Sequence, residues 1–538
     1  MYLNDKSGLV RNLLLYTALL AIPAFLIFSS LRRIEQREDI WYGGGYDPAY
    51  AYLHNSLNIA TLKLPGHVDH PGTPMQVIGG IVLRVSYLIK PFGGETLADA
   101  VIQQPEYYLK VLNRSVAWLS VLFILSIGLI VHRFTRNIWY ALLIQSTPLL
   151  SALLLYNGFL RISQEVVLMI ASVSFGVFCL YWYYNSAKRK THYYTDGFGI
   201  ITGFGIASKI IFLPLMIIPF VLFSTRENRF RYIKATILSF IFFTIPIIPA
   251  YPSMGWWIIR LFTHSGIYGS GAATVIDTSS YLNDLKSMFV GEPFLMYTFL
   301  ASAVFILALS ILRFKGRKEN DGALRLLIAV IIAQTAGFLI TAKHPNVNYL
   351  LPYVCLSTSS MVIMITILSE RIRLHWVRQV TVAVTVSGLI LIMGYRFRSP
   401  LSGMFTINNN RHFEYAWQLA LNKDAGMKQA VIGVNPGPSP IAAQFFANAY
   451  SRMRYAGVLE NYYPDYYIFD TYSGRLVNWN NEQVSWKELA HLYQGNIRII
   501  GEAGFESQIG KHIETHSNNL YIERIWSHNH AVVVWGVK

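Results

Sequence analysis

Eight side chains that can carry or exchange a proton fall within 36 residues: Glu35, Glu38, Asp39, Asp47, His54, His67, Asp69 and His70. Asp47 follows a Gly-Gly-Gly-Tyr turn and opens the helical stretch YAYLHNSLNIATL. A carboxylate there either caps the helix or takes a proton from a bound hydroxyl. Asp69-His70-Pro71-Gly72 is a tight polar turn that admits the same two readings. A second set of residues is cationic. Arg114, Arg161, Lys209, Arg260 and Lys343 all stand at ends of apolar runs. Arg161 and Glu165 are four apart, a spacing that places both on one helix face. Lys209 separates two apolar runs, where a lysine snorkels to the interface or meets an anion. Acids on one side and cations at helix ends suit an acid/base step beside a phosphate-bearing lipid.

The elements that must position these groups are mostly membrane helices. The chain has 538 residues, of which 53% are hydrophobic and only 14% charged. Soluble domains carry about 25% charged residues, so an ordinary soluble enzyme is excluded, as are disordered and collagen-like chains. Cys179 and Cys355 lie in apolar runs and form neither a disulfide framework nor a metal-ligand cluster. A span needs about 20 apolar residues. Candidates run over 11–31, 113–131, 137–156, 165–185, 234–250, 292–312, 323–341, 347–368 and 380–395. The stretch 198–224 reads as a hairpin of two short spans with Lys209 at its outer tip, which gives about 11 spans in all. The first apolar stretch lacks a cleavage site and reads as a retained span.

Basic residues set the orientation. Loops at 133–136, 188–190, 226–234, 313–318 and 371–378 hold sixteen Lys and Arg, against Arg161, Arg260, Lys286 and Lys343 on the opposite side. The first set is therefore cytoplasmic. The net charge of +16 follows largely from topology, and nucleic acid drops out as a partner. Residues 73–90 form an amphipathic helix on the membrane or a further span; the interfacial reading puts 32–112 outside as a first outer loop. Two domains are expected: a polytopic α-helical membrane domain, 1–396, and an extracytoplasmic α/β domain, 397–538. In the second, the β-type runs QAVIGV, YYIFD, IRIIG and HAVVVWGV alternate with helical patterns such as SPIAAQFFANAYSRMRYA. Its VNPGPSP turn fits a structural βα connection better than a nucleotide loop.

This layout resembles the GT-C superfamily of lipid-linked glycosyltransferases, in particular the protein O-mannosyltransferase and aminoarabinose-transferase branch. The resemblance covers roughly 11–395. It rests on YDPAYAYLHNSL with Asp47, DHPGTP with Asp69 and His70, LNRSVAWLSVL with Arg114, RISQEVVLM with Arg161 and Glu165, GIASKIIF with Lys209, and HPNVNYLLPY. Four departures stand out. A proline, Pro48, occupies the place of the second acid of the usual pair. Gly72 replaces the second proline of the turn, Glu165 the commoner Asp, and Asn348 the common arginine.

The resemblance implies an inverting transfer, in one displacement, of a sugar from a polyprenyl-phosphate donor to an extracytoplasmic glycan, lipid or protein. Asp47 would be the general base, with Asp69 as the second catalytic acid. His70, Arg114, Arg161, Glu165, Lys209, Lys343 and His344 would bind the donor. His54, Arg260 and His264 would contact the acceptor. The departures leave open the use of a divalent metal, and no other cofactor is implied. The protein would sit in the inner membrane, N-terminus in the cytoplasm and 397–538 in the periplasm. The competing classes are an envelope polysaccharide polymerase or ligase, which would not need an acid poised in the first loop, and a lipid-linked-sugar flippase, which would need charges at the bilayer midplane.

This orientation predicts that a cysteine introduced at a polar position in 397–538 reacts with a membrane-impermeant thiol reagent in cells whose outer membrane alone is permeabilised. Protection until the inner membrane is lysed would overturn it.

Overall fold

The computed structural model describes residues 3–42, 45–69, 71–90, 94–186, 190–263, 281–314, 321–341, 345–396, 398, 411–421, 428–517 and 520–538. The helices, in chain order, are α1 (Leu3–Gln36), α2 (Ala49–Ala60), α3 (Thr73–Ile89), α4 (Leu97–Gln103), α5 (Pro105–Thr135), α6 (Ile138–Gln145), α7 (Ala152–Phe159), α8 (Gln164–Asn185) and α9 (Thr191–Ser208). They continue with α10 (Ile217–Leu222), α11 (Arg226–Phe243), α12 (Tyr251–Thr263), α13 (Tyr281–Gly291), α14 (Pro293–Phe314), α15 (Asp321–Thr341), α16 (Leu351–Glu370) and α17 (His375–Arg396). The C-terminal part adds α18 (Arg411–Leu421), α19 (Pro440–Tyr450), α20 (Ala456–Tyr462), α21 (Trp486–Leu492) and α22 (Glu506–His516). The chain separates into two compact units. One holds residues 1–33, 68–75 and 113–405; the other holds 34–67, 76–112 and 406–538.

The first unit is the helical bundle. Among the described residues, seven helices are long and apolar enough to cross a membrane, or eight if one bent pair counts as a single span. The expected spans within α1, α5 and α8 and at α14 to α17 are continuous helices. Two others are broken by proline. The run 137–156 divides into α6, a 3-10 turn at Thr147–Leu150 containing Pro148, and α7. The run 234–250 ends as α-helix at Phe243, and Pro246 and Pro249 turn the chain by 88° into α12. Proline supplies no N–H and clashes with the preceding turn, so apolar character alone does not sustain either helix.

Helix α16 is buried at every residue from Leu351 to Ile367. Its hydroxyls are satisfied by neighbours: Thr298 Oγ1 donates to Ser357 Oγ at 2.9 Å, and the Thr147 and Thr358 hydroxyls lie 2.8 Å apart. Helices α9 and α11 approach closely because Gly199 and Gly203, one turn apart, face Ala235, Thr236 and Ser239. A Cβ on Gly203 would stand 2.5 Å from the Thr236 carbonyl oxygen. Small residues at this spacing are the usual means of close helix packing in lipid, where apolar burial between helices contributes little.

The second unit combines the C-terminal domain with most of the first outer loop. Its strands are β1 (Ala430–Asn435), β2 (Tyr466–Asp470), β3 (Arg475–Val477), β4 (Ile497–Gly501), β5 (Ile522–His528) and β6 (Val532–Val537). They form one sheet in the order β3-β2-β1-β4-β6-β5. The central strand β1 runs parallel to β2 and β4; the outer pairings are antiparallel. Strand β1 is buried at every residue, as expected of a central strand covered on both faces. The VNPGPSP turn after it is held structurally: Gly437 N donates to the Tyr46 hydroxyl at 3.2 Å, and Ser439 Oγ caps α19 by accepting from Ala442 N at 3.1 Å.

Helix α2 is the element the loop contributes to this domain. Eleven of its twelve residues are buried, including His54, Asn55, Ser56 and Asn58. A polar stretch of this kind is stable inside a protein only when its groups are bonded. Helix α19 and the turn after it supply three of those bonds. His54 Nε2 lies 3.0 Å from Gln444 Oε1, Asn55 Nδ2 donates to the Tyr450 carbonyl at 3.1 Å, and the Tyr455 hydroxyl donates to Asn58 Oδ1 at 2.9 Å. Gly66 passes so near the Tyr450 carbonyl that a Cβ would stand 2.3 Å from its oxygen.

Burial holds the His54 imidazole at a pKa of about 4, below its ordinary 6.5, so the neutral ring is the folded form. The stability it contributes is present above pH 6.5 and is lost as the pH falls toward 4, where the unfolded chain binds the proton first. The loss amounts to about 3 kcal/mol. Unfolding midpoints measured between pH 4 and 7 should fall with pH more steeply for the natural protein than for His54→Gln. Parallel profiles would refute the assignment.

Candidate functional site

Arg114, Arg161, Glu165 and Lys209 fall in the helical unit, as does Asp69 in the turn before α3. The centre is an ion pair. Lys209 Nζ lies 2.8 Å from Glu165 Oε1, with the two side chains only 4% and 8% exposed. Lys209 takes its place because α9 ends there. Its backbone turns extended, its N–H still bonds the Gly205 carbonyl, and the chain continues into a 3-10 turn, Ile210–Met216, that carries Pro214. The Tyr353 hydroxyl fixes that turn by donating to the Ile211 carbonyl at 2.9 Å. Glu165 stands in the first turn of α8, where the helix dipole favours an anion.

Around the pair, polar side chains from three further segments converge. The Lys209 ammonium stands 4.9 Å from the centre of the Tyr349 ring. The neighbouring Asn348 Oδ1 accepts from Asn157 Nδ2 at 3.2 Å, and Asn157 Oδ1 accepts from Arg161 Nε at 2.9 Å. The Arg161 guanidinium also covers the Tyr156 ring at 4.9 Å. Asn113 Oδ1, next to Arg114, accepts from Ile162 N at 2.8 Å and so ties α5 to the turn that carries Arg161. The result is a string of bonded groups running from Arg161 through Asn157 to Asn348, with Tyr349, Lys209 and Glu165 beside it.

One expectation changes here. Arg161 and Glu165 do not share a helix face, because α7 ends at Phe159 and α8 begins at Gln164; Arg161 sits in the intervening turn and Glu165 takes Lys209. Lys209, expected at the outer tip of a hairpin, does lie between two helical segments, and its side chain is buried, 3% exposed. Asn157 is a residue that sequence reasoning missed, and Tyr349 is legible there only as one end of a span. The signal for Asn157 was available, since an amide within ALLLYNGFL is costly in lipid unless it is bonded.

The remaining residues fall elsewhere. Asp47 lies in the second unit and is exposed. The N-cap position of α2 falls on Pro48, with no side-chain cap bond, so the geometry does not use Asp47 as the cap. Asp69 is half-buried. Arg260 is exposed on α12. His54, expected at the acceptor, is wholly buried against Gln444 and the Tyr455 ring, a packing position. His70, His264, Lys343 and His344 lie outside the described residues. Among the described residues no three His, Cys, Asp or Glu side chains gather to hold a metal ion.

The ammonium of Lys209 has three N–H donors, and Glu165 Oε1 engages one of them, so the group can hold an anion while paired. Removing one partner of a buried pair leaves the other charge uncompensated, which costs about 3–5 kcal/mol. Lys209→Met should therefore destabilise by about that amount, and Lys209→Met with Glu165→Met should recover most of it. A purely structural lysine predicts that activity returns with stability in the double variant. An anion-binding lysine predicts a stable but inactive protein, and that is the expected outcome.

No family model matches the chain, and no curated protein matches it in sequence. Solved structures do. ArnT from Cupriavidus metallidurans bound to undecaprenyl phosphate is similar over 96% of this chain and 97% of its own, with a TM-score of 0.50 and 11% identity. The same protein in the apo state gives 98% of both chains, a TM-score of 0.49 and 12% identity. The chain shares the fold of ArnT, a polytopic helical bundle with a small C-terminal sheet domain.

Proposed function

We propose that the protein is an integral membrane glycosyltransferase that takes a sugar from a polyprenyl-phosphate donor and passes it, with inversion, to an extracytoplasmic acceptor. The observation that carries this reading is the Lys209 cluster: a buried cation and a neighbouring guanidinium, held by bonded amides at the meeting of helix ends, in a chain whose fold is shared with a protein that binds undecaprenyl phosphate. On this reading Lys209, Arg161 and Arg114 face the donor phosphate, with His70, Lys343 and His344 completing its surroundings. Negative charge grows on the phosphate oxygen as the glycosidic bond breaks. Fixed cations in a water-poor site stabilise that charge, each contributing about 2–4 kcal/mol. Glu165 keeps the ammonium of Lys209 in place.

The acceptor hydroxyl attacks the anomeric carbon from the face opposite the phosphate and gives up its proton to a carboxylate. We assign that carboxylate to Asp47, as the sequence resemblance implies, with Asp69 positioning the sugar. Arg260 and His264 are left to the acceptor, and His54 serves packing. The excess of basic residues in one set of loops supports an N-terminus in the cytoplasm and a C-terminal domain outside. A polymerase or ligase that moves a whole glycan would share the phosphate site but would release a polyprenyl diphosphate or a long chain in place of a single sugar.

The test is single-turnover transfer from a synthetic polyprenyl-phosphate sugar, with release of polyprenyl phosphate as the readout. Asp47→Asn keeps the side chain's size and removes the proton acceptor. It should lower the rate by about a hundredfold or more with donor affinity unchanged. If Asp69→Asn abolishes transfer and Asp47→Asn does not, the base is Asp69. If neither matters, the glycosyltransferase reading fails.

A further inference from the structure

The second unit contains a cavity of about 340 Å³ that includes none of the residues assigned above. Its size suits a small ligand. One wall is aromatic and continuous. Trp41 meets Trp417 edge-on at 6.4 Å, Trp417 meets Tyr466 at 5.9 Å, and the Tyr466 and Tyr463 rings lie nearly parallel, 11° apart with centres at 5.4 Å. Trp479 extends the wall beyond Tyr463 at 6.4 Å. Across from the rings are two carboxylates, Asp39 and Glu106, and the amides of Gln103, Gln104 and Gln444. Lysine, arginine and histidine are absent from the described lining.

The carboxylates are oriented by ring donors. The Tyr50 hydroxyl donates to Glu106 Oε1 at 2.8 Å, and Trp41 Nε1 donates to Asp39 Oδ2 at 3.3 Å. Glu106 Oε2 has no exposed surface and no hydrogen-bond partner among the described residues. A buried acceptor left without a donor is costly, so this carboxyl suits a polar surrounding and not a wholly apolar one. Two acids in a lining that holds no base disfavour a phosphate or carboxylate ligand. The unpartnered carboxylate and the amides exclude a plain hydrocarbon tail. Ring faces carry negative quadrupole charge and attract polarised C–H groups. Amides both donate and accept, which suits a ligand rich in hydroxyls better than a simple amine, which offers donors only.

We propose that this cavity binds a pyranose unit of a carbohydrate. The sugar's C–H face stacks on Trp417, Tyr466 and Tyr463, and its hydroxyls donate to Glu106 and Asp39 while exchanging hydrogen bonds with the glutamines. That the sugar belongs to the acceptor is a corollary that rests on the glycosyltransferase reading; the binding itself does not.

The test uses the full chain in detergent micelles and saturation-transfer NMR with the methyl glycosides of glucose, galactose, mannose and glucosamine, with choline as a rival probe. At least one glycoside should receive saturation, strongest at its ring C–H protons. Glu106→Gln, an isosteric change, and Trp417→Ala should each weaken its binding tenfold or more, and the unfolding midpoint of Glu106→Gln should stay near that of the natural protein. No transfer to any glycoside, transfer unchanged in both variants, or choline binding that depends on Glu106 while no glycoside binds would each overturn the proposal. Release of polyprenyl phosphate is followed separately. A protein that binds sugar here but releases none retains the cavity assignment and loses the glycosyltransferase reading; one that transfers sugar but binds none of the glycosides does the reverse.

Discussion

An ammonium and a carboxylate 2.8 Å apart in the interior of a helical bundle set the terms for everything around them. Taking either charge out of water costs several kcal/mol, and attraction between the two repays this only when geometry is held and the remaining valences are satisfied. The bundle meets that condition by construction. Helix α9 stops where the lysine must turn inward, α8 starts where its dipole supports the glutamate, and the 3-10 turn after Lys209 is pinned by Tyr353. The adjacent Arg161, Asn157 and Asn348 form a string of bonds that fixes the loops between spans. A site with this much support for one cation can hold it ready for an anion without rearrangement, which is the property that electrostatic catalysis requires.

How much of this was legible in the sequence depends on the range of the interaction. Spans were legible where twenty apolar residues run unbroken, because lipid forces their backbones into helix. The runs at 137–156 and 234–250 read as single spans because their apolar neighbours outweigh Pro148, Pro246 and Pro249 in any average, but they do not continue as single helices because the backbone meets those residues as missing donors. Strands β1, β2, β4 and β6 were visible as apolar runs. Strand β3 is three residues long, and β5 lies at the sheet edge with Glu523 and Arg524 in its path, so neither carries the pattern.

The site shows the same division. Lys209 and Glu165 stood out because a charge in an apolar run is expensive. Their pairing did not, since the two are 44 residues apart and Arg161, four residues from Glu165, was the partner that helical spacing favoured. Helix α2 was harder still. His54, Asn55, Ser56 and Asn58 give it the composition of a membrane-surface helix, and only a partner far along the chain makes burial of those groups affordable. The aromatic cavity was invisible for that reason: its walls come from 39–50, 103–106, 417–421, 440–444 and 463–479.

That partnership has a consequence in time. His54 and Gln444 are 390 residues apart in the chain, and ribosomes add about 5–20 residues per second. Helix α2 is therefore synthesised roughly 20 to 80 seconds before the helix that covers it. For that interval only nearby segments are available to it: Gly80 on α3 lies against Ile59 and Ser56, and Glu106 accepts from the Tyr50 hydroxyl. The polar groups of its other side, His54, Asn55 and Asn58, gain their partners last. Burial of a helix made near the start of the chain is thus completed only at its end.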